Sequence, residues 1–396
     1  MTRAAHARAC LLAAGAAVLA AGTLAVGAPV TGATAAGPRA AGSPLGVFAR
    51  DITAQDGVPT GRYTLSLVDT RGRVVAAANA ATRTDLELGS GQGQGGGAAA
   101  LPLPLVSISR SRAYYVDGNS LVKSLMPGGA IATITRVPGG PSARVAIAVS
   151  PDDRRLAVGV LTYANPYHYS PTDLGVRTRV YAEDLAGGGH HVELFSSTRV
   201  LEWPVGWHNG ALVLAVSDAS ATQQGSPNPY FALNGYHLAS AATGRRLAVL
   251  CPSNATGTDG YALGPLVPAG ALCLRGKALY VASWAGTSRL FARAAVNPFP
   301  GGAALAPDGG RVAASIAGAA RLVVLGADGR RTAIPVPGTA TVLGWIDATH
   351  VAADPGLPAG RPVVVDVRAG TVTPIGPVPW GATFYGSLPG GLGAGS

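Results

Sequence analysis

Aromatic residues follow an Asn-Pro pair at three places in the chain, and this combination is suited to recognition. The triplets are Asn165-Pro166-Tyr167, Asn228-Pro229-Tyr230 and Asn297-Pro298-Phe299. Aromatic residues make up only 6% of the sequence, so their concentration in these segments is informative. Flat rings pack against sugars, peptides and protein surfaces, and the asparagine amide adds hydrogen bonds. The same rings can instead pack loops onto a core, so both interpretations stay open.

The predicted binding residues are the polar and aromatic side chains of these segments and of two adjoining ones. They are Tyr163, Asn165, Tyr167, His168, Tyr169, Asn228, Tyr230, Phe231, Tyr261 and Phe299. A binding protein needs only that such side chains face a partner. An enzyme would need titratable groups, such as His168 as acid or base with Asp259, to meet in a deep pocket.

The remaining titratable residues match no pattern for a metal, a cofactor or a catalytic triad. His190 and His191 are adjacent, so on a strand their side chains point to opposite faces and form a poor chelate. The carboxylates of Glu183 and Asp184 diverge for the same reason. The sequence contains no His-Glu-x-x-His, Gly-x-Ser-x-Gly or acidic calcium-loop motif. We therefore predict no metal, no cofactor and no assigned catalytic residue.

Several histidines and tryptophans have structural interpretations. The histidines at predicted strand ends or turns, expected to be exposed, are His208, His237 and His350. The tryptophans on predicted inner strands, expected to pack in the core, are Trp203, Trp207 and Trp345. Trp284 is expected to end a second strand and to pack as well.

The N-terminal residues resemble a secretion signal. Arg3 and Arg8 precede an apolar run over 11–30, and Ala33-Thr34-Ala35 supplies small residues for a signal peptidase. We predict a Sec-type signal peptide over 1–35, cleaved after Ala35, and a secreted domain over 36–396 with no stable membrane anchor. The alternative is a membrane tether, because the run is long enough to span, although its Ala and Gly content makes it a weak anchor.

The charge of the chain does not favour nucleic acid as a partner. The formal net charge is +10, and cleavage after Ala35 removes Arg3 and Arg8 and leaves +8. The basic residues are scattered and form no stripe, so no nucleic-acid partner is predicted. After cleavage Cys251 and Cys273 remain, and an even pair in an exported chain suggests one disulfide. We expect Cys251 at a strand end and Cys273 on the inner strand of the next unit.

Short strands separated by Gly and Pro run through the chain, which is typical of all-β proteins. The predicted strands are 64–68, 73–78, 101–109, 113–116, 121–125, 130–137, 144–149, 155–163, 177–185, 191–196, 200–207, 211–217, 235–239, 246–250, 271–274, 278–284, 289–296, 303–306, 311–317, 321–325, 331–336, 341–345, 351–353, 362–367, 371–376 and 382–387. A glycine-rich segment at 89–100 is predicted to be a flexible loop, and 389–396 a flexible tail.

Two pairs of repeats set the architecture. Ser150-Pro151-Asp152-Asp153 is echoed by Ala306-Pro307-Asp308-Gly309, and Gly206-Trp207 by Gly344-Trp345. The second strands of successive units begin about 47 residues apart, within the roughly 40–50 residues of a propeller blade. We predict a single all-β propeller of seven four-stranded blades, in which the C-terminal strand completes the first blade. A six-bladed ring or a pair of β-sandwiches is the alternative.

The two Pro-Asp segments resemble the repeat of TolB-like propellers, in which a Ser-Pro-Asp-Gly turn precedes an apolar strand. At the level of fold the resemblance extends to WD-repeat propellers. Position 153 departs from the pattern, because it is Asp where the family has Gly. The resemblance implies a propeller and carries no catalytic residue, since members of the family mostly bind partners or serve as accessory domains.

Propeller topology places the aromatic segments on one face. Connections between second and third strands share a face with the connections between blades, and the aromatic segments belong to these two kinds. We therefore predict an exported binding or scaffold module that recognises a protein, a peptide or an envelope glycan through this face. The alternative function is an extracytoplasmic lyase or hydrolase with its site at the channel mouth. A third is self-association through Ala- and Gly-rich strands.

Overall fold

A computed structural model describes residues 43–53, 59–83, 103–164, 175–218, 235–252, 261–294, 296–297, 301–316, 320–338, 341–356, 360–378, 381–390 and 392. The predicted signal peptide at 1–35 and the glycine-rich loop at 89–100 lie outside these residues. The described residues form strands, turns and bends. Among them no helix is long and apolar enough to cross a membrane.

Seven antiparallel four-stranded sheets form the blades of a propeller, and the prediction of seven blades is confirmed. Blade 1 contains β1 (Leu45–Thr53), β2 (Pro59–Asp69) and β3 (Val74–Ala81), and blade 2 contains β4 (Val106–Ile108), β5 (Ala113–Asp117), β6 (Leu121–Leu125) and β7 (Ile131–Arg136). Blade 3 contains β8 (Ala143–Val149), β9 (Arg155–Tyr163), β10 (Val176–Asp184) and β11 (Val192–Ser197), and blade 4 contains β12 (Val200–His208), β13 (Ala211–Asp218), β14 (Tyr236–Ser240) and β15 (Arg246–Leu250).

The other three blades follow in chain order. Blade 5 contains β16 (Tyr261–Ala262), β17 (Ala271–Arg275), β18 (Ala278–Ala282) and β19 (Ser288–Arg293). Blade 6 contains β20 (Ala303–Leu305), β21 (Arg311–Ser315), β22 (Arg321–Gly326) and β23 (Arg331–Pro335). Blade 7 contains β24 (Thr341–Trp345), β25 (His350–Asp354), β26 (Val363–Asp366) and β27 (Thr371–Pro374), and the last strand, β28 (Thr383–Leu388), belongs to blade 1.

The C-terminal strand closes the ring, as the sequence predicts. β28 pairs antiparallel with β1, from Leu45 opposite Leu388 to Ala49 opposite Thr383, so blade 1 has the order β28-β1-β2-β3. The two ends of the chain thereby share one sheet, and β1 has a partner on each side. An unpaired strand edge exposes backbone donors and acceptors, so this pairing protects the innermost part of blade 1.

Small apolar residues on alternating positions let the blades pack face to face. β8 and β9 contribute Val145, Ile147, Leu156 and Val158 to an apolar cluster shared with blade 2. The outermost strands are half exposed instead, and in β3 buried and exposed positions alternate over most of its length. This two-residue period is expected for a sheet with one solvated side.

Two strands were not predicted from the sequence, and one of them changes the numbering within blade 5. β1 was missed, and so was the two-residue β16, which is the inner strand of blade 5. Cys273 therefore lies on β17, the second strand, and its expected place on the inner strand is wrong. For the same reason Trp284 follows the third strand, β18, instead of ending a second strand.

The predicted disulfide is present. Cys251 follows the outermost strand of blade 4, and its Cα lies 5.3 Å from that of Cys273 in blade 5. Both residues are fully buried within the apolar cluster that blades 3, 4 and 5 share. The bond therefore joins two neighbouring blades across their buried interface.

Candidate functional site

The two ends of the ring differ in the length of their connections. We call the end with the second-to-third-strand and blade-to-blade connections the loop face, and the opposite end the turn face. On the loop face, the connections from β3 to β4, β9 to β10, β13 to β14 and β15 to β16 take residues 82–105, 164–175, 219–235 and 251–260. On the turn face, no connection between strands of the described residues is longer than eight residues. Binding residues concentrate on long connections carried by a rigid scaffold, so the loop face is the candidate functional surface.

Residues after β28 cross the turn-face end of the central channel. The Gly390 amide donates to the Ser109 carbonyl of blade 2 at 2.8 Å, and the Leu392 amide donates to the Trp207 carbonyl of blade 4 at 3.2 Å. The Leu392 carbonyl lies against the ring of His208, which stacks on Trp284 with 4.4 Å between ring centroids. The chain thus leaves blade 1 and covers part of the turn-face end itself.

The channel above these residues is small and apolar. It holds a cavity of about 150 Å³, lined by backbone of the inner strands and by side chains such as Trp207, Trp345, Phe384 and Leu392. None of the described lining residues is Asp, Glu, His, Lys or Arg. Small-molecule pockets occupy roughly 300–1,000 Å³ and combine apolar walls with convergent polar groups. This cavity is smaller and has no charged side chain among those residues, so the loop face is the better candidate for function.

At the loop face, arginine and tyrosine side chains from blades 1 and 3 come together. We call Arg83, Arg144, Tyr63, Tyr163 and Tyr385 the arginine–tyrosine cluster. Arg83 follows β3, Arg144 begins the inner strand of blade 3, and the tyrosines lie on β2, β9 and β28. The Nη2 atom of Arg83 donates to the Pro104 carbonyl at 3.2 Å, and its Nε is buried.

The pKa values of the cluster reflect its burial. Burial, and next the charge of Arg144, lowers the pKa of Arg83 to about 10, so Arg83 stays protonated at neutral pH. Burial raises the pKa of Tyr63 well above its ordinary value and that of Tyr385 to about 12. The Tyr63 hydroxyl donates to the Val116 carbonyl of blade 2 at 2.5 Å. The cluster thus joins cations to neutral hydroxyls.

A buried acid–base pair lies in the loop-face half of blade 4. Glu202 on β12 and His237 on β14 approach to 2.8 Å between Oε1 and Nδ1. Their side chains are only 5% and 11% exposed, and neither residue lines the central cavity. The Glu202 carbonyl accepts a hydrogen bond from the buried Thr178 hydroxyl of blade 3. The expectation that His237 is exposed is therefore wrong, because its ring is hydrogen-bonded to the Glu202 carboxyl group and a bonded polar group can be buried.

The structure places few of the predicted binding residues. Tyr163 ends β9 and is 1% exposed, with its ring in an apolar cluster. Tyr261 begins β16, and nothing further of its side chain is described. The predicted residues that lie outside the described ones are Asn165, Tyr167, His168, Tyr169, Asn228, Tyr230, Phe231 and Phe299. Their role in binding stays a prediction.

The other predicted residues have partners that indicate structural roles. His190 pairs with Asp184 at 2.8 Å, whereas His191 contacts Glu183 at 3.2 Å, so the two rings do not converge. His350 is partly buried and pairs with Asp347 at 2.8 Å, so its expected exposure is only partial. In the part of the chain that the structure describes, no group of three His, Cys, Asp or Glu residues could hold a metal ion.

The predicted core tryptophans are buried, and two of them connect blades. The indole Nε1 of Trp207 donates to the Ala148 carbonyl of blade 3 at 2.9 Å, and Trp345 donates to the Ala304 carbonyl of blade 6 at 2.9 Å. Each acceptor lies two residues before a Pro-Asp segment. The Gly-Trp repeat and the Pro-Asp repeat therefore supply the two sides of the same kind of contact between neighbouring blades, which occurs once between blades 3 and 4 and once between blades 6 and 7.

Sequence reasoning missed the two arginines of the cluster. They are 61 positions apart on different blades, and no local motif surrounds either residue. Closure of the ring by β28 brings Tyr385 into the same region, which only the tertiary structure shows. Of the residues in the cluster, the sequence indicated only Tyr163, as a predicted binding residue.

No protein-family model matches the chain, and no curated protein does. Puromycin hydrolase superposes with a TM-score of 0.54 and 16% identity, over 86% of this chain and 53% of that protein, so this chain spans about half its length. An oligogalacturonate lyase from Vibrio parahaemolyticus superposes with a TM-score of 0.44 at 11% identity, over 78% of this chain and 87% of that one. TolB from Acinetobacter baumannii superposes with a TM-score of 0.38 at 10% identity, over 87% of this chain and 67% of that one. At 16% identity, the superposition on puromycin hydrolase shows a shared fold alone, in agreement with the seven-bladed propeller.

Proposed function

We propose that the protein is an extracytoplasmic binding propeller that recognises a protein, a peptide or an envelope glycan at its loop face. The observation that carries the proposal is the asymmetry of the ring, since every connection longer than eight residues between its strands lies on that face. The opposite end is partly covered by the chain's own C-terminal residues. Long connections on a rigid ring supply variable recognition surface without disturbing the core.

Location outside the cytoplasm is supported by the buried Cys251–Cys273 disulfide. Disulfides persist in oxidising compartments and are rare in the cytosol. The N-terminal sequence, with Arg3 and Arg8 before an apolar run, supports export in the same way.

The test is affinity capture from envelope and culture fluid, with residues 36–396 as bait and mass spectrometry or glycan analysis as readout. The loop-face variant is Tyr167→Ala/Tyr169→Ala/Tyr230→Ala. The matched turn-face variant is Arg154→Ala/Asp328→Ala/Arg330→Ala, whose side chains are exposed and form surface ion pairs and one hydrogen bond, from the Arg330 amide to the Asp328 carboxylate. We expect a partner that the parent and the turn-face variant retain and that the folded loop-face variant loses.

Equal capture by all three proteins, or loss with the turn-face variant, would contradict recognition at the loop face. Folding of each variant is checked by circular dichroism and by its thermal transition. With no partner captured by the parent, the proposal fails and a screen of lyase and hydrolase substrates becomes the next experiment.

A further inference from the structure

An open groove lies on blade 3 at the loop face, and we call it the blade 3 groove. Its volume is about 620 Å³, within the roughly 300–1,000 Å³ of small-ligand sites. Ala164 and Gly175, the two ends of the connection between β9 and β10, line it. That connection contains four of the predicted binding residues. The blade 3 groove therefore borders a segment in which the sequence predicts recognition.

The floor of the blade 3 groove is the side of the sheet that packs against blade 2. Thr162 on β9 lies opposite Arg177 on β10, and Val160 lies opposite Arg179 in the same way, so the four side chains project from one side. Val160 is 7% exposed and belongs to the apolar cluster between blades 2 and 3. Thr162, Arg177 and Arg179 are exposed. A rigid sheet thus presents a hydroxyl and two cations to the groove.

The two arginines on β10 have different partners on β11, although they are two residues apart on the same side. The Nε of Arg179 donates to the Oε2 of Glu193 at 2.9 Å, and Glu193 also contacts His191 at 2.8 Å. The Nε of Arg177 donates to the Ser196 hydroxyl at 3.3 Å, and none of the described carboxylates forms an ion pair with it. β11 therefore supplies a carboxylate to one guanidinium and a hydroxyl to the other.

Arg177 keeps donors for a further acceptor. A guanidinium carries five N–H donors, and the described residues accept one hydrogen bond from this one. Carboxylates bind guanidinium groups through two parallel N–H donors, and such charge-assisted pairs are stronger than neutral hydrogen bonds. The hydrogen bond to Ser196 restricts the Arg177 side chain before a ligand binds, which lowers the cost of binding.

The other lining residues leave room for a chain beside this charge. Ala143, Ala164 and Gly175 are small, and Thr198 adds a second hydroxyl. None of the described lining residues is Asp or Glu, so the charge they present is positive and complements an anion. None of them is aromatic either, so the flat surface on which sugar rings pack is absent from the described lining. This favours a peptide over a glycan.

We propose that the blade 3 groove binds an acidic peptide segment of the partner, with an Asp or Glu carboxylate of that segment on Arg177. The inference rests on the proposed function, since it names the class of partner that the loop face recognises. The ligand supplies to Arg177 the carboxylate that Glu193 supplies to Arg179.

The experiment is selection from a displayed library of random linear peptides on residues 36–396, followed by isothermal titration calorimetry of one selected peptide. We expect Asp and Glu to be enriched among the peptides that the parent selects. Replacing the acids of the selected peptide by Asn and Gln, or Arg177 by Gln, should weaken binding about tenfold, the loss expected for one charge-assisted hydrogen bond. Arg177→Lys should restore binding only in part, because an ammonium lacks the guanidinium fork.

The matched control is Arg321→Gln. Arg321 begins β22, the third strand of blade 6, so it lies on the loop face as Arg177 does; it is exposed, and it does not line the blade 3 groove. This variant loses the same charge and should bind as the parent does. Ser196→Glu places a carboxylate beside Arg177 and should weaken binding as Arg177→Gln does, because the new acid competes with that of the peptide.

The proposal is overturned if the parent enriches no acidic residues, or if Arg321→Gln weakens binding as much as Arg177→Gln. It is overturned too if Arg177→Gln or Ser196→Glu is folded, by circular dichroism, and binds as the parent does. A tetrasaccharide of hyaluronate is titrated as an anionic glycan. If it binds while no acidic peptide is selected, the occupant is a glycan and the proposal fails.

Failure of this proposal is separable from failure of the proposed function. A partner captured equally by the parent and by Arg177→Gln, but lost with the tyrosine variant of the loop face, would exclude the blade 3 groove as the site. Recognition at the loop face would still stand in that case.

Discussion

At the scale of single residues, the departure from the Pro-Asp-Gly pattern has a clear structural reason. Asp153 adopts a φ of 60°, a left-handed conformation that glycine adopts more easily. Its carboxylate accepts hydrogen bonds from Ser111 at 2.6 Å and from the Tyr114 hydroxyl at 3.0 Å, both in blade 2. At the equivalent Gly309 of blade 6, a Cβ atom would lie 2.8 Å from that of Ala269, so glycine is required there.

The first prediction is that Asp153→Gly destabilises the fold although it relieves the backbone. The substitution leaves the hydroxyl of Tyr114, a fully buried residue, without its acceptor, which costs about 1–3 kcal/mol. Relief of the left-handed conformation returns less than the about 1–2 kcal/mol that it costs most residues, because Asp tolerates it and glycine adds entropy to the unfolded chain. We therefore expect a lower free energy of unfolding in urea, by about 1 kcal/mol.

A double-mutant cycle with Tyr114→Phe separates the two effects. We expect the pair to be less destabilised than the sum of the single variants, because the same hydrogen bond is lost in each. An Asp153→Gly protein as stable as the parent would show that backbone strain outweighs the contact between blades.

The second prediction concerns acid stability, through the carboxylate of Glu193. Hydrogen bonds from Arg179, and next from His191, hold the pKa of Glu193 at about 2, below its ordinary 4.5. Because the pKa of Glu193 is lower in the folded than in the unfolded protein, its ionised form stabilises the fold. This contribution to the free energy of unfolding is fully present above the unfolded pKa and is lost as the pH falls through about 2. The same carboxylate raises the pKa of His191. The contribution of His191 to the free energy of unfolding is fully present below its ordinary pKa of 6.5 and is lost as the pH rises through its raised pKa.

Glu193→Gln should therefore lower the free energy of unfolding between pH 4.5 and 6.5 and have little effect at pH 2. The expected loss is about 0.2–1 kcal/mol, because the Arg179 and Glu193 side chains are half exposed and solvent screens them. Urea unfolding at pH 2 and pH 5.5 measures it. An equal loss at both pH values would mean that the charge of Glu193 is not the cause.

At the scale of elements, the inner strands carry the contacts that hold one blade against the next. Trp207 on β12 and Trp345 on β24 donate to the inner strand of the preceding blade. Trp203 lies on β12 as well and is 1% exposed, yet its Nε1 makes no hydrogen bond among the described residues. One strand therefore contains a bonded and an unbonded indole with similar burial.

The third prediction uses this pair as test and control. Trp207→Phe leaves the buried Ala148 carbonyl without its indole donor, whereas Trp203→Phe removes a donor that bonds to none of the described residues. Both substitutions lose similar apolar volume, so Trp207→Phe should cost about 1 kcal/mol more than Trp203→Phe. The two free energies of unfolding, measured under the same conditions, decide the matter. Equal costs would show that the hydrogen bond contributes nothing beyond packing.

Elements whose pattern is local were predictable, and those defined by distant pairing were not. β9, β15 and β24 begin and end at the predicted residues because each is a short apolar run between turn signals. β16 has only two residues, Tyr261 and Ala262, and is a strand because β17 lies beside it. β1 was missed because Arg50 and Asp51 interrupt its apolar residues, and its place is fixed by β28 and β2 on either side.

At the scale of the whole molecule, closure of the ring determines which residues can meet. The face of the aromatic segments followed from propeller topology alone, because connection types alternate between the two ends. The arginine–tyrosine cluster did not follow, since Arg83, Arg144 and Tyr385 meet only after three blades are placed and the last strand has joined the first. Residues so far apart in sequence leave no pattern of spacing to read.

The fourth prediction separates ring closure from the residues that follow it. A chain that ends at Gly381 lacks β28, so β1 loses the partner that faces Leu45 to Ala49 and exposes a strand edge next to the central channel. A chain that ends at Leu388 keeps this pairing and loses only the residues that contact Ser109, Trp207 and His208. Unpaired inner edges favour association between chains and weaken cooperative unfolding.

We expect the shorter chain to aggregate and to unfold without a sharp transition, and the longer one to remain monomeric and cooperative with a slightly lower melting temperature. Size-exclusion chromatography and calorimetry distinguish the two. If both truncated chains behave alike, the strength of the ring lies in its blade interfaces and not in the strand that joins its ends.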